Sequence, residues 1–367
     1  MKILVNLIGG QPAPVYIASR IVNPDLNILV YSQDSEKQIS RIINTIHGYN
    51  YESIMVLPYN YDDCILKLNY VIEKYSEADF VLNLTSGTKI MSFAGFKIFS
   101  DLRKDILYID SQNHNSIYFK NGIIPETKKL ILSFPVKDYF SIYGYLIESA
   151  DNRFPDNDTY SLIRDFMINN YYRIKNVIPK INNQIKENLN LLESKDDSAN
   201  LYFRYNIKKE SGKIESTIGR NKTNIDIKSK NELDYILGHW MEDYVYYKLK
   251  SNNIFDELLK NVKLFSIRDN LSPEYQNEFD LCGIRDQTIF IFECKTGNLD
   301  KGIVEKLRLI KNLTGTYSKI HLITLFRPVE SASKERIKDF NIKHINLNEL
   351  DNFISEFKNK TDINPNL

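Results

Sequence analysis

Asp280, Glu293 and Lys295 carry the clearest chemical signal in this 367-residue chain, with Glu242 upstream of them. Glu293-Cys294-Lys295 closes IFIFECK, a run that is apolar until its charged residues appear, and EFDLCGI around Asp280 switches from polar to apolar in the same way. Side chains two apart on a strand share a face. Glu293 and Lys295 therefore point together and Cys294 points away. Twelve residues separate Asp280 from Glu293, which suits a hairpin with Asp280 on the neighbouring strand. Carboxylate oxygens on one face can hold a divalent cation, and the backbone carbonyl of Cys294 can add a ligand. Such an ion polarises a phosphoryl oxygen and acidifies a bound water. Lys295 can position that water and stabilise charge on the phosphate. Glu242, on a helical segment before these strands, is the fourth candidate. Glu278 lies on the same face as Asp280 and competes for its role, with Asp280 favoured. The bland alternative is a surface strand with an ion pair, but charges at the end of so apolar a strand are costly to bury without a use.

A second constellation, Asn83-Leu84-Thr85-Ser86-Gly87-Thr88-Lys89, lies between a strand and a helix. Gly87 lets backbone approach closely, and Thr85, Ser86 and Thr88 supply hydroxyls. The helix N-terminus attracts anions, and Lys89 adds a full positive charge. Capping of the following helix by a hydroxyl accounts for the same residues. The loop is neither GxxxxGK[ST] nor GxGxxG, which disfavours ATP hydrolysis and dinucleotide binding. Ile8-Gly9-Gly10-Gln11-Pro12 follows the first strand at the same sheet edge, and two such loops together favour a ligand site.

The elements that must position these residues follow from hydrophobic spacing. Strands are expected at Ile3–Leu7, Asn27–Tyr31, Ser53–Leu57, Asp79–Leu84 and Ile106–Ile109. Helices are expected at Val15–Val22, Glu36–His47, Asp62–Tyr75 and Lys89–Leu102. The strands are continuously apolar, as buried parallel strands are, and the expected fold is an open Rossmann-like α/β sheet. Ser141–Ile147 and Tyr160–Leu189 read as helices and Glu193–Asn200 as a polar loop. Residues 201–230 hold eight Lys or Arg against three Asp or Glu, read either as a solvated face or as a basic arm for phosphates. A helix at Asn231–Lys250 then precedes strands at Val262–Ile267, Glu278–Ile284 and Thr288–Glu293. A helix at Ile303–Leu313 and a strand at Lys319–Leu325 follow. The expected division is 1–145, a connecting region 146–230, and 231–367.

Net charge is +1, so nucleic-acid contact must come from local patches rather than a polycationic chain. The three cysteines, Cys64, Cys282 and Cys294, are too few for a disulfide framework and form no CxxC pair. No apolar run reaches the ~18 residues of a membrane span, and Met1-Lys2 leads into a strand rather than a signal peptide. A cytoplasmic protein is expected.

Taken together, the two constellations resemble a known family. The Asp280…Glu293-Cys294-Lys295 spacing resembles the PD-(D/E)xK pattern of restriction-endonuclease-like folds, along with GHWMEDYVYYKL and FIFECKTG. DFVLNLTSGTKIMSFAGF and NLIGGQPAP resemble CARF domains, the cyclic-oligoadenylate sensors of type III CRISPR defence. The resemblance implies an N-terminal Rossmann-like CARF domain and a C-terminal restriction-endonuclease-like α/β domain. Members are homodimers whose paired sensors bind cyclic tetra-adenylate and switch on Mn2+- or Mg2+-dependent cutting of DNA, RNA or both. By position, Ile8, Gly9, Gln11, Thr85, Ser86, Gly87, Thr88 and Lys89 would hold ligand. Glu242, Asp280, Glu293 and Lys295 would hold metal and do the chemistry. The loop departs from the family pattern in having Thr-Ser-Gly where Thr-Gly-Gly is also expected. A HEPN ribonuclease is disfavoured, because no histidine has an arginine five positions before it. A ligand-responsive transcriptional regulator and a ligand-independent nuclease are the remaining alternatives.

Overall fold

The computed structural model describes residues 1–153, 158–174, 176–197, 200–218, 221–266, 274–297, 301–325 and 331–362. The N-terminal sheet has seven strands, in the order Asn50–Met55, Leu26–Tyr31, Lys2–Leu7, Asp79–Asn83, Asp105–Asp110, Asn115–Lys120 and Ile124–Lys129. The first five are parallel and the last two extend the sheet antiparallel. The strand order reverses between Lys2–Leu7 and Asp79–Asn83, which is where open α/β sheets bind ligands. The loops that follow these two strands, 8–12 and 84–88, therefore sit side by side. The expected parallel core is present. The terminal hairpin was not anticipated, although Asn121-Gly122 at its turn, both at positive φ, is a strong hairpin signal.

The C-terminal sheet runs Lys343–Asn346, Lys319–Thr324, Thr288–Lys295, Glu274–Arg285, Glu257–Ser266 and Tyr145–Asp151. Its last member corrects the helix expected at Ser141–Ile147. The helix there spans Val136–Ile142, and the chain then turns at Gly144 into an edge strand. The segment 158–227 contributes two helices, Asp158–Ile174 and Ile178–Lys186, and a four-stranded antiparallel sheet, Leu191–Asp196 to Asn221–Ile227. Glu193–Asn200 is accordingly not all loop. Leu191–Asp196 pairs with Leu201–Asn206 and buries Leu192 and Ser194, so its period-2 signal rests on one apolar side chain. The helix expected at Asn231–Lys250 runs from Lys230 to Ser251 with one π-turn at Tyr235–His239.

One apolar cluster crosses from sheet to sheet. It joins Leu4, Val15 and Ile17 to Phe279, Ile289 and Ile291, and to Val304, Leu307 and Ile310 of the helix Lys301–Leu313. Among the described residues no helix is long and apolar enough to cross a membrane.

The C-terminal core holds an unusual polar group. His321 lies among the rings of Phe290, Phe292 and Phe353, with centroids 5.9, 4.8 and 5.3 Å away, and its Nδ1 has no hydrogen-bond partner among the described residues. Burial, reinforced by the charge of Lys343, pulls its pKa down from 6.5 to about 3. Above pH 6.5 the ring is neutral in both the folded and the unfolded chain. Below it, the unfolded chain takes a proton that the folded one refuses. Stability should then fall by up to ~1.4 kcal/mol per pH unit until about pH 3. His321→Phe is expected to flatten this acid limb, measured as urea midpoints at pH 7 and pH 5. An unchanged limb would assign the acid sensitivity elsewhere.

Candidate active site

The hairpin of Glu274–Arg285 and Thr288–Lys295 pairs Leu281 with Phe292, which sets Asp280 across from Glu293 one step further on. The Asp280 carboxylate accepts the backbone N–H of Cys294 at 2.6 Å. Glu293 is fully buried. Its Oε1 receives Lys295 Nζ at 3.0 Å and Lys306 Nζ at 2.7 Å. Its Oε2 is buried without a hydrogen-bond partner among the described residues. Glu242 reaches the same cluster from the helix Trp240–Ser251. Burial raises its carboxyl to about 7 against the pull of Lys295, with Asp243 and Glu293 adding repulsion. Burial likewise raises Asp280 to about 8, with Glu293 and Glu242 repelling. Burial alone would lower Lys295, but the charges of Glu293 and Asp280 outweigh it and hold its ammonium above the ordinary range.

Three desolvated carboxyls facing two lysines are an arrangement in which each carboxyl penalises ionisation of the next. A divalent cation relieves that conflict, and the donor set fits one: hard oxygens, one of them orphaned. Among the described residues no three His, Cys, Asp or Glu side chains close around a point as they now stand. The geometry accounts for this, since Glu293 is turned onto two lysines and Asp280 onto a backbone N–H. Cys294 points its buried thiol into the core as expected, and burial drives its pKa up. Trp240 is core as well.

Glu278 and Glu242 line an adjacent cleft of about 590 Å³ together with His239, Asp243, Lys260 and Lys263. Glu278 is half-exposed and lies 4.0 Å from Lys263, so it belongs to the cleft wall. Asp280 bonds directly to the Glu293 strand. Spacing did not reveal Lys306. It lies on the polar side of an amphipathic helix, and nothing in one dimension ties it to Glu293. Also unforeseen was the ion pair of Lys260 and Asp243, whose side chains are 6% and 8% exposed. Lys260→Met would leave Asp243 a buried carboxylate short of its partner. It is expected to lower stability by ~3–5 kcal/mol, with Lys260→Met/Asp243→Asn recovering part of the loss in chemical denaturation. A loss under ~1 kcal/mol would show a solvated pair.

In the other unit, loops 8–12 and 84–88 are built largely by the hydroxyls expected at the ligand. Thr88 caps the helix Lys89–Asp101 by accepting Met91 N–H at 3.2 Å, and donates to the Pro58 carbonyl at 2.5 Å. Thr85 accepts Ile109 N–H at 2.7 Å, and Ser86 donates to the Gln11 carbonyl at 2.9 Å. The capping reading therefore holds for Thr88, within a loop whose backbone is fixed by these bonds. Gly87 sits at φ +84°, and a Cβ on Gly9 would lie 2.5 Å from Gly87 N. Ile8 is buried and can offer only backbone. Lys89 is exposed. Gln11 turns its side chain away, to Tyr143 and to the backbone of Thr316. Beneath the loops, Asn83 donates to Asn6 and Asn6 to Asn27, all fully buried. One asparagine interrupts each of three apolar strands, a signal that could have located this network.

Fold and family matches together describe a two-part chain: a Rossmann-like domain that matches the CARF class, followed by one that matches an endonuclease domain. More particularly, each of the two domains matches a model of the Card1 kind. Residues 3–139 match the family described as the Card1 CARF domain, and residues 229–363 match the Card1-like endonuclease domain. The fold is shared with Can2 from Sulfobacillus thermosulfidooxidans, solved in complex with cyclic tetra-adenylate, at 20% identity and TM-score 0.77 over 98% of this chain and 99% of that one. Protein VC1899 from Vibrio cholerae matches at 14% identity and TM-score 0.76 over 97% and 98%. A type III CRISPR defence DNA nuclease activated by cyclic oligoadenylate matches at 14% identity and TM-score 0.57, over 96% of this chain and 51% of that one. No curated protein sequence matches the chain.

Proposed function

We propose that this protein is a cyclic tetra-adenylate-activated, divalent-metal-dependent endonuclease of type III CRISPR defence, acting on DNA, RNA or both as a homodimer in the cytoplasm. The observation that carries this reading is the desolvated cluster of Glu242, Asp280 and Glu293 beside Lys295, on a chain whose sensor sheet presents two close-packed loops at its switch point. Glu242, Asp280 and Glu293, with the Cys294 carbonyl, would hold Mn2+ or Mg2+. Such an ion, when bound, would acidify a water and polarise a phosphoryl oxygen. Lys295 orients the attacking water and balances charge gathering on the phosphate. Water would add to phosphorus as the P–O bond to the leaving oxygen breaks, and the proton lost by the water would end on that leaving oxygen. Ligand backbone and base edges meet Ile8, Gly9, Gln11 and Thr85–Lys89, with the Lys89 ammonium and the helix N-terminus facing phosphates.

A repeating cyclic ligand would suit a two-fold pocket made by two copies of the chain. Leu57, Tyr59 and Phe93, on segments flanking Thr88, are 58%, 78% and 65% exposed and offer apolar surface for a second copy. A regulator that does not cut is not favoured, since it leaves a desolvated carboxyl cluster and a match to an endonuclease domain without a task. The test is cleavage of labelled single-stranded RNA, single-stranded DNA and supercoiled plasmid with Mn2+, with and without cyclic tetra-adenylate. Cutting that requires both is expected, whereas cutting regardless of ligand removes the switch and no cutting removes the enzyme.

A further inference from the structure

The active-site lysine that spacing did not reveal sits on an element with a second attachment. Lys306 Nζ holds Glu293 Oε1 at 2.7 Å from the helix Lys301–Leu313. That helix is seated by Val304, Leu307 and Ile310 in the core shared by the two sheets. Its C-terminal turn is gripped from the sensor side. Tyr139 donates to the Thr314 carbonyl at 2.6 Å, and Gln11 Oε1 accepts the Thr316 N–H at 3.4 Å and the Tyr143 hydroxyl at 3.0 Å. Gly315 lies at φ +83°, where a Cβ would collide with the Tyr143 hydroxyl. Gln11 is also bound through its own carbonyl to Ser86. One residue thus spans the ligand loop and the far end of the helix that carries Lys306, roughly 12–15 Å from that lysine at the helical rise.

We propose that the helix Lys301–Leu313 is the link between the ligand loop and the active site, and that Lys306 is a positioning residue that restrains Glu293 until the helix moves. The link rests on the proposed cyclic tetra-adenylate switch and gives it a route. Glu293 Oε1 carries two ammonium groups, and a divalent cation cannot share that oxygen with both without strong repulsion. Lys295 comes from the same strand as Glu293 and stays with it. Lys306 comes from a separate helix and can be withdrawn. Ligand that shifts Ser86 shifts Gln11, and with it the 314–316 turn. A tightly packed helix transmits the displacement rather than absorbing it.

Two measurements test this on the full-length protein. The first is amide hydrogen exchange over residues 301–318 with and without cyclic tetra-adenylate. The second is cleavage and calorimetric ligand binding for Tyr143→Phe, Gly315→Ala, Lys306→Met and Lys306→Arg. In the wild type, ligand should change exchange in this segment. Tyr143→Phe and Gly315→Ala should still bind ligand and keep ligand-free cleavage, while activation falls at least about tenfold, within the usual range of coupling between sites, and the exchange change disappears. Lys306→Met should raise ligand-free cleavage by about tenfold or more, and Lys306→Arg should restore the restraint. Wild-type activation in Tyr143→Phe, or loss of cleavage with and without ligand in Lys306→Met, overturns the link while leaving the switch standing. A wild type indifferent to ligand overturns both.

Discussion

Glu293→Gln is expected to abolish cleavage while leaving the fold and ligand binding in place. The amide keeps the shape of a fully buried side chain but removes the charge that Lys295 and Lys306 share through Oε1. Its NH2 cannot accept them, and it cannot ligate a cation as a carboxylate does. Outer-shell partners of metal sites typically cost 10–100-fold when lost. A direct ligand should exceed that, so a fall of more than ~100-fold is expected. The neighbours sharpen the test. Asp280 is held up in part by repulsion from Glu293, so neutralising Glu293 should let Asp280 ionise more readily and keep the fold from suffering. Asp280→Asn should lose cleavage to a similar degree. Thermal unfolding and calorimetric binding of cyclic tetra-adenylate separate a dead site from a damaged protein. Cleavage at the wild-type rate in Glu293→Gln would remove this cluster from the chemistry.

Gly9→Ala is expected to destroy the response to ligand with a single methyl group. Its Cβ would lie 2.5 Å from Gly87 N and 3.1 Å from Gly87 Cα. The obstacle is backbone, which has no rotamer to yield. The two loops must separate, and the surface they form at the switch point opens. A loss of at least ~1.4 kcal/mol, tenfold in affinity, is expected for cyclic tetra-adenylate by calorimetry, with a matching rise in the concentration needed for activation. Gly10→Ala is the control from the same loop. A Cβ there meets nothing within 4 Å, so binding should stay as in the wild type. Equal binding by the two variants would show that the approach of Gly9 to Gly87 has no part in the ligand site.

Much of the site was legible because it is written in short-range periodicity. Glu293 and Lys295 share a face by the period of any strand, and the hairpin register that brings Asp280 opposite follows from two apolar runs with a short turn between them. The parallel order of the first five strands likewise follows from alternating apolar strands and amphipathic helices. Where the expectation failed, the local signal was weak. Leu191–Asp196 shows one inward apolar residue, and Tyr145–Asp151 pairs with Glu257–Ser266, a partner more than a hundred residues away.

The chain by itself determined the two chemistries and their order: a phosphate-friendly loop ahead of an acidic, lysine-bearing hairpin. Each depends on residues near one another in sequence, where strand period and loop composition act directly. Only the tertiary structure decided which side chains are engaged and with whom. It turned Gln11 toward Tyr143 and Thr316, spent the loop hydroxyls on holding the loops, and brought Lys306 onto Glu293. The physical reason is that burial and pairing are properties of packed elements. The helix Lys301–Leu313 is amphipathic in any context, but only the core shared by both sheets fixes which way its lysine points.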